Sequence, residues 1–116
     1  MRNSDVPGSI RNSVIELLSR EGRTLSSIGV NDWALTRDQA LVIISEFDAM
    51  NVAILGGDVF EDKEGRIAHT YENWYCDRRL DETDEAYRIR ANEKARAYIR
   101  DYPISSHLFT LVVNES

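Results

Sequence analysis

The sequence predicts an α+β domain: a small antiparallel sheet of about three strands, a hairpin plus a C-terminal strand, covered by about three helices. Three observations carry this expectation. Stretches with apolar residues three and four apart occupy roughly residues 8–20, 36–51 and 83–101; a β-rich pair of runs lies between Val52 and Tyr71; and the apolar run His107–Val113 closes the chain. At 116 residues, 42% hydrophobic and 29% charged, the chain is sized for one domain with one core over residues 1–116, and it is neither disordered nor collagen-like.

The elements follow in order. Pro7 suits a first helical turn, and Ile10, Val14, Leu17 and Leu18 form one stripe ended by Gly22, which predicts a helix over about residues 8–20. Residues 23–35 mix small polar residues with Leu25, Ile28, Trp33 and Leu35, which predicts an irregular segment pinned by its large side chains. Thr36 and Gln39 have the spacing of a capping box, and Ala40, Ile43, Ile44, Phe47 and Met50 share a face, so a second helix should stop near Asn51. From Val52 to Phe60 the chain reads as a buried strand interrupted at Gly56-Gly57-Asp58 by a bulge or a close backbone approach. Glu61 to Gly65 supplies a turn, and Ile67, His69 and Tyr71 alternate with Ala68 and Thr70 in a returning strand; Asn73-Trp74-Tyr75-Cys76 is a candidate extension of it. Thr83 to Asp101 is the longest helix, with Tyr87, Ala91, Ala95, Tyr98 and Tyr102 as its seam and Arg88, Arg90, Arg96 and Arg100 mostly toward water; Pro103 ends it. His107–Val113, apolar on both faces, suits an inner strand paired with the hairpin.

The net charge is -6, and residues 61–85 hold 9 acids against 4 bases, so most of the excess lies in the middle of the chain. Such a surface repels phosphate backbones, which argues against direct nucleic-acid binding and for a basic protein partner. Acid around the start of the long helix, at Asp81, Glu82, Asp84 and Glu85, is explained in part by the helix dipole. The longest apolar run, Ala40 to Ile44, is far short of the ~20 residues needed to span a bilayer, and no signal segment follows Met1. With a single cysteine, Cys76, the chain reads as cytoplasmic, with no membrane partner. Nucleophile elbows, phosphate loops, dinucleotide fingerprints and zinc-protease motifs are missing. His69 and His107 read as strand residues without a catalytic or metal role, and the carboxylates Asp58, Glu61, Asp62 and Glu64 lack the order of a calcium loop. The sequence therefore predicts no enzyme, no cofactor and no metal.

Two stretches are distinctive: Gly29-Val30-Asn31-Asp32-Trp33-Ala34-Leu35-Thr36, and Ile54-Leu55-Gly56-Gly57-Asp58-Val59 followed by Tyr71-Glu72-Asn73-Trp74-Tyr75-Cys76. Together, over about residues 28–110, the chain resembles the immunity protein 40 family of bacterial polymorphic toxin systems, in which each toxin gene is followed by a gene for its neutralising protein. The resemblance implies a cytoplasmic antitoxin without catalytic activity, whose partner is a cognate toxin domain, for example a basic nuclease. Fast capture rewards charge steering, and slow release rewards a desolvated aromatic centre. On that expectation Glu61, Asp62, Glu64, Glu72, Asp77 and Asp81 form the toxin-binding face, with Trp74 and Tyr75 as anchors; core burial competes as an explanation for Trp33 and Trp74. The rival expectation is an intracellular regulatory or adaptor domain that binds a small ligand or a host protein.

Overall fold

The computed structural model describes residues 16, 20, 22–24 and 33–113. The helix expected over residues 8–20 lies outside the described residues except for Glu16 and Arg20, which are helical. In chain order the elements are β1 (Arg23–Thr24), β2 (Trp33–Ala34), α1 (Arg37–Ala49), β3 (Ile54–Lys63), β4 (Arg66–Tyr75), α2 (Asp84–Asp101), β5 (Leu108–Phe109) and β6 (Val112–Val113). The α+β class holds, with two named helices among the described residues where about three were expected.

Local chemistry sets the helix ends. Thr36 caps α1 by accepting from the Gln39 amide at 3.2 Å, while the Gln39 side chain accepts from the Thr36 amide at 3.0 Å, which completes the capping box. The helix closes at Asn51, whose φ of 62° lets Val52 donate to the Phe47 carbonyl at 2.8 Å, a Schellman closure with asparagine in the left-handed position. Thr83 caps α2 by accepting from Ala86 at 3.1 Å. The two helices run antiparallel. Arg37, in the first turn of α1, donates to the Ile99 and Tyr102 carbonyls at the end of α2, and Asp48, in the last turn of α1, pairs with Arg88 near the start of α2. Arg88 thus ties the helices together and does not simply face water.

The hairpin strands are ten residues each. Their turn narrows to Glu64 and Gly65, both with positive φ, 54° and 90°, as a two-residue turn matched to strand twist requires. The sheet order is β4-β3-β5, with β6 also on β3, so β3 is paired on both sides. The C-terminal segment is inner at Phe109, which exchanges two 2.8 Å backbone hydrogen bonds with Leu35 on the side away from β3. Leu35 continues from β2, and β2 pairs antiparallel with β1 (Arg23 opposite Ala34, Thr24 opposite Trp33), so part of the segment expected to be irregular is a short ladder.

Both helices pack on one face of this sheet. The main core joins Ala40, Ile43, Ile44 and Phe47 of α1 and Ala95 and Ile99 of α2 to Val59, Trp74, Phe109 and Leu111. A smaller cluster of Ala34, Phe60, Ile67 and Leu108 covers the region near the hairpin tip, and Cys76, Tyr87 and Ala91 form a third. Among the described residues two polar side chains are fully buried, Thr110 and Asn92, and Asn92 donates to the Val52 carbonyl and to Asp48 at 3.0 Å each and accepts from the Ile54 amide at 2.8 Å, using both its donors and its carbonyl. It fastens the entry of β3 to α2.

The tightest point is Gly57. A Cβ there would lie 2.0 Å from the Thr110 carbonyl and 2.4 Å from Cη2 of Trp74, so the close approach expected from the Gly-Gly pair is real. Thr110 also completes the ladder with its side chain, its hydroxyl accepting from the Asp58 amide at 2.9 Å while its own amide donates to the Asp58 carbonyl at 3.0 Å. Gly57→Ala should therefore destabilise the fold by about 3 kcal/mol, since Trp74 and the Thr110 backbone would both have to move; a urea melt close to that of the native chain would show that the site can relax.

Candidate functional site

The candidate surface is built by β4, the segment 76–83 and the first half of α2. The strand β4 leaves regular pairing once. Asp58 pairs with Asn73 and Phe60 with His69, so a single residue of β3, Val59, faces three on β4, Thr70, Tyr71 and Glu72. Tyr71 takes φ 69°, Thr70 donates its hydroxyl to the Val59 carbonyl at 2.8 Å, and the same hydroxyl accepts from the Glu72 amide at 3.1 Å. The Tyr102 hydroxyl donates to Oε1 of Glu72 at 2.8 Å, and burial together with this bond raises the Tyr102 phenol to about 12.

Beyond β4, one side chain organises the segment 76–83. Arg90 grips Glu82 with two bonds, Nε to Oε2 at 2.6 Å and Nη2 to Oε1 at 2.7 Å, and also donates to the Asp77 carbonyl at 2.6 Å. The Arg79 amide adds a 3.0 Å bond to Glu82, and the Tyr87 hydroxyl donates to the Cys76 carbonyl at 2.6 Å. Arg90 was expected to face water; its real role is to staple this loop to α2. The Glu82 carboxyl falls from 4.5 to about 2, first because of the Arg90 hydrogen bond, with burial opposing and the Arg79 amide assisting. Arg78 pairs with Asp84, and Lys94 donates to the Tyr75 carbonyl at 2.6 Å at the outer edge of β4. Between that edge and α2 runs an open groove of about 620 Å³, with Asn73, Tyr75, Arg79, Lys94 and Tyr98 among its walls.

The expected site residues divide into groups. Glu61, Asp62 and Glu64 stand at the hairpin tip, where Glu61 lies 3.7 Å from Lys63 and Asp62 accepts from the Gly65 amide at 2.9 Å. Asp77 and Asp81 are exposed in the segment past the opposite end of β4. Most of the strand separates these groups, on the order of 25 Å at about 3.3 Å per residue. Glu72 lies between them, at the bulge. The structure does not bring the six carboxylates into one cluster. Trp74 is 5% exposed and stacks on Tyr98 with ring centroids 4.7 Å apart, so it is a core residue and not an exposed anchor. Tyr75 is 63% exposed. Trp33 is half-buried against the main core.

The most exposed groups that escaped the sequence reading are Tyr71, at 84%, and Leu80, at 97%. Leu80 stands as a lone apolar residue among charges, and Tyr71 fitted the strand alternation, so neither carried a signal of its own. Among the described residues no three of His, Cys, Asp and Glu gather as metal ligands, and no helix is long and apolar enough to cross a membrane.

The α+β scaffold displays Tyr71, Tyr75 and Leu80 along one edge strand and the braced loop after it. A family model for immunity protein 40 matches residues 24–113, and the chain belongs to that family. No curated protein and no solved structure matches it.

Two measurements probe this geometry. Trp74→Ala should cost about 4 kcal/mol of stability, as expected when a buried indole is removed from a core; a loss under about 1 kcal/mol would place the ring at the surface. The low Glu82 value also has a pH signature. Because the folded value lies below the ordinary 4.5, the stability it contributes is complete above about pH 4.5 and is lost as pH falls through about 2. Thermal melts should show the native chain weakening across that window and Glu82→Gln weakening less; superimposable profiles would refute the role given to Arg90.

Proposed function

We propose that this chain is an immunity protein that neutralises a cognate toxin by binding it directly in the cytoplasm, with no reaction of its own. Membership of the immunity protein 40 family is the observation that carries the reading. The surface chemistry supports it: Tyr71, Tyr75 and Leu80 leave most of their aromatic and apolar area exposed, and Glu72, Asp77 and Asp81 are exposed carboxylates close to them in the chain. Aromatic groups at the centre and charges at the margin are how protein partners combine slow release with fast, steered association. The net charge of -6 fits a basic toxin, and a nuclease is the class that such a surface complements best, because carboxylates can stand where substrate phosphates would bind.

If the product of the neighbouring upstream gene is the cognate toxin, co-expression with this chain should rescue growth, and the two proteins should co-purify. Death of the cells in the presence of soluble, folded protein would reject the reading. Within a working pair, Asp77→Lys combined with Asp81→Lys should slow association about tenfold at low salt and flatten its salt dependence, while the melting temperature stays close to native. An unchanged association rate would remove charge steering from this part of the surface.

A further inference from the structure

Tyr71 occupies the left-handed region in the middle of a ten-residue strand. Among the described residues two other non-glycine residues have positive φ, and both sit where an element ends: Asn51 closes α1, and Glu64 lies in the hairpin turn. Only Tyr71 interrupts a strand, and a β-carbon with a bulky ring is disfavoured there.

The ring itself lies outside the core and reaches it only through His69, whose ring is 4.3 Å from that of the buried Phe60. Tyr71 is 84% exposed, and its neighbour is the His69 ring, stacked at 5.4 Å. The surrounding bonds hold the strained backbone in place. Thr70 is tied to Val59 and to the Glu72 amide, and Glu72 is tied to Tyr102, so the residue is fixed from both sides. Strain that neighbouring structure enforces at a ring left mostly in solvent marks a functional position. The two extra residues on β4 leave His69 and Asn73 on the same face of the sheet and lift Tyr71 out of the ladder toward solvent.

The charge around the ring selects what can bind it. Between Ile67 and Asp77 the sequence contains no lysine or arginine, and the Glu72 carboxylate follows the ring directly, one of its oxygens held by Tyr102. We infer that Tyr71 is the anchor of the toxin interface, presented by the bulge so that a toxin arginine or lysine lies across its ring face with Glu72 as counter-charge. This inference rests on the toxin-binding reading above.

The test compares Tyr71→Gly, Tyr71→Asn and Tyr71→Phe for melting temperature and for affinity to the purified toxin domain that the native chain neutralises in the co-expression experiment. Glycine and asparagine accept the left-handed backbone, so both variants should melt at or above the native temperature yet bind the toxin about 30-fold more weakly, while phenylalanine, which keeps the ring face, should stay within about threefold. Glycine and asparagine variants that bind within about threefold of the native protein overturn the anchor. It is equally overturned if both melt well below the native chain and lose binding only in proportion to the unfolded fraction, since the ring would then be structural. If the native protein itself fails to hold the toxin while folded, the toxin-binding reading falls, and the anchor falls with it; that result is distinct from selective failure of the variants.

Discussion

The approach of β4 and the C-terminal segment to Gly57 is the constraint on which the rest of the fold depends. With no side chain at that point, the Trp74 indole can lie over the backbone of β3 while the Thr110 carbonyl closes in beside it. Trp74 then presents its other surroundings to α2, where Tyr98 stacks on it at 4.7 Å, so the position of the long helix follows from the missing Cβ on the central strand. Gly56 repeats the arrangement toward the backbone of Trp74 and Tyr75, since a Cβ there would lie 2.3 Å from the Trp74 carbonyl oxygen. A strand flanked on both sides and crossed by a large ring has no room for adjustment, and close-packed interiors transmit such constraints to whatever packs next. The antiparallel helix pair sits on this platform and is fixed in orientation by Arg37 at one end and by the Arg88–Asp48 pair at the other.

Elements governed by local rules were legible in the sequence. Thr36 with Gln39, the stop at Asn51, the hairpin and the helix from Thr83 to Asp101 all follow from capping, backbone preference and periodicity that act within a few residues. The extension through Trp74 and Tyr75 was readable for the same reason. Features set by tertiary context were not. The β1–β2 ladder and the Leu35–Phe109 bridge are too short to impose a pattern, and the bridge exists because the Phe109 backbone groups on the side away from β3 must be satisfied. The bulge at Tyr71 carries no glycine, and because it adds two residues it preserves the alternation of faces, so the sequence on either side reads as an unbroken strand.

The charge pattern was legible as a quantity and not as a shape. Nine acids within residues 61–85 correctly mark an acid-rich region, yet a hairpin ten residues long carries the first of them to one end and the last to the other. Two of the later acids are also ion-paired within the chain: Glu82 with Arg90, and Asp84 with Arg78. Arg90 sits on the α2 face next to the seam, so periodicity alone assigned it to solvent. Its half-buried position and its four acceptors on Cys76, Asp77 and Glu82 depend on a loop whose path no local rule specifies.

That internal use of charge bears on how the surface can bind tightly. A loop held only by water would lose freedom on meeting a partner, and each immobilised side chain would subtract about 0.5–1.5 kcal/mol from the affinity. Here the segment that carries Asp77, Leu80 and Asp81 is already tied to α2 by Arg90 through the Asp77 carbonyl and through Glu82, and the backbone around Tyr71 is tied by the Thr70 hydroxyl while Tyr102 holds the Glu72 carboxylate. The exposed groups are thus mounted on backbone whose ordering cost is met in folding and not in association. The same bonds leave Asp77 and Asp81 exposed, available to attract a basic partner from a distance. In this fold some residues of one acidic stretch brace the loop through ion pairs, while others, Asp77 and Asp81 among them, stay exposed.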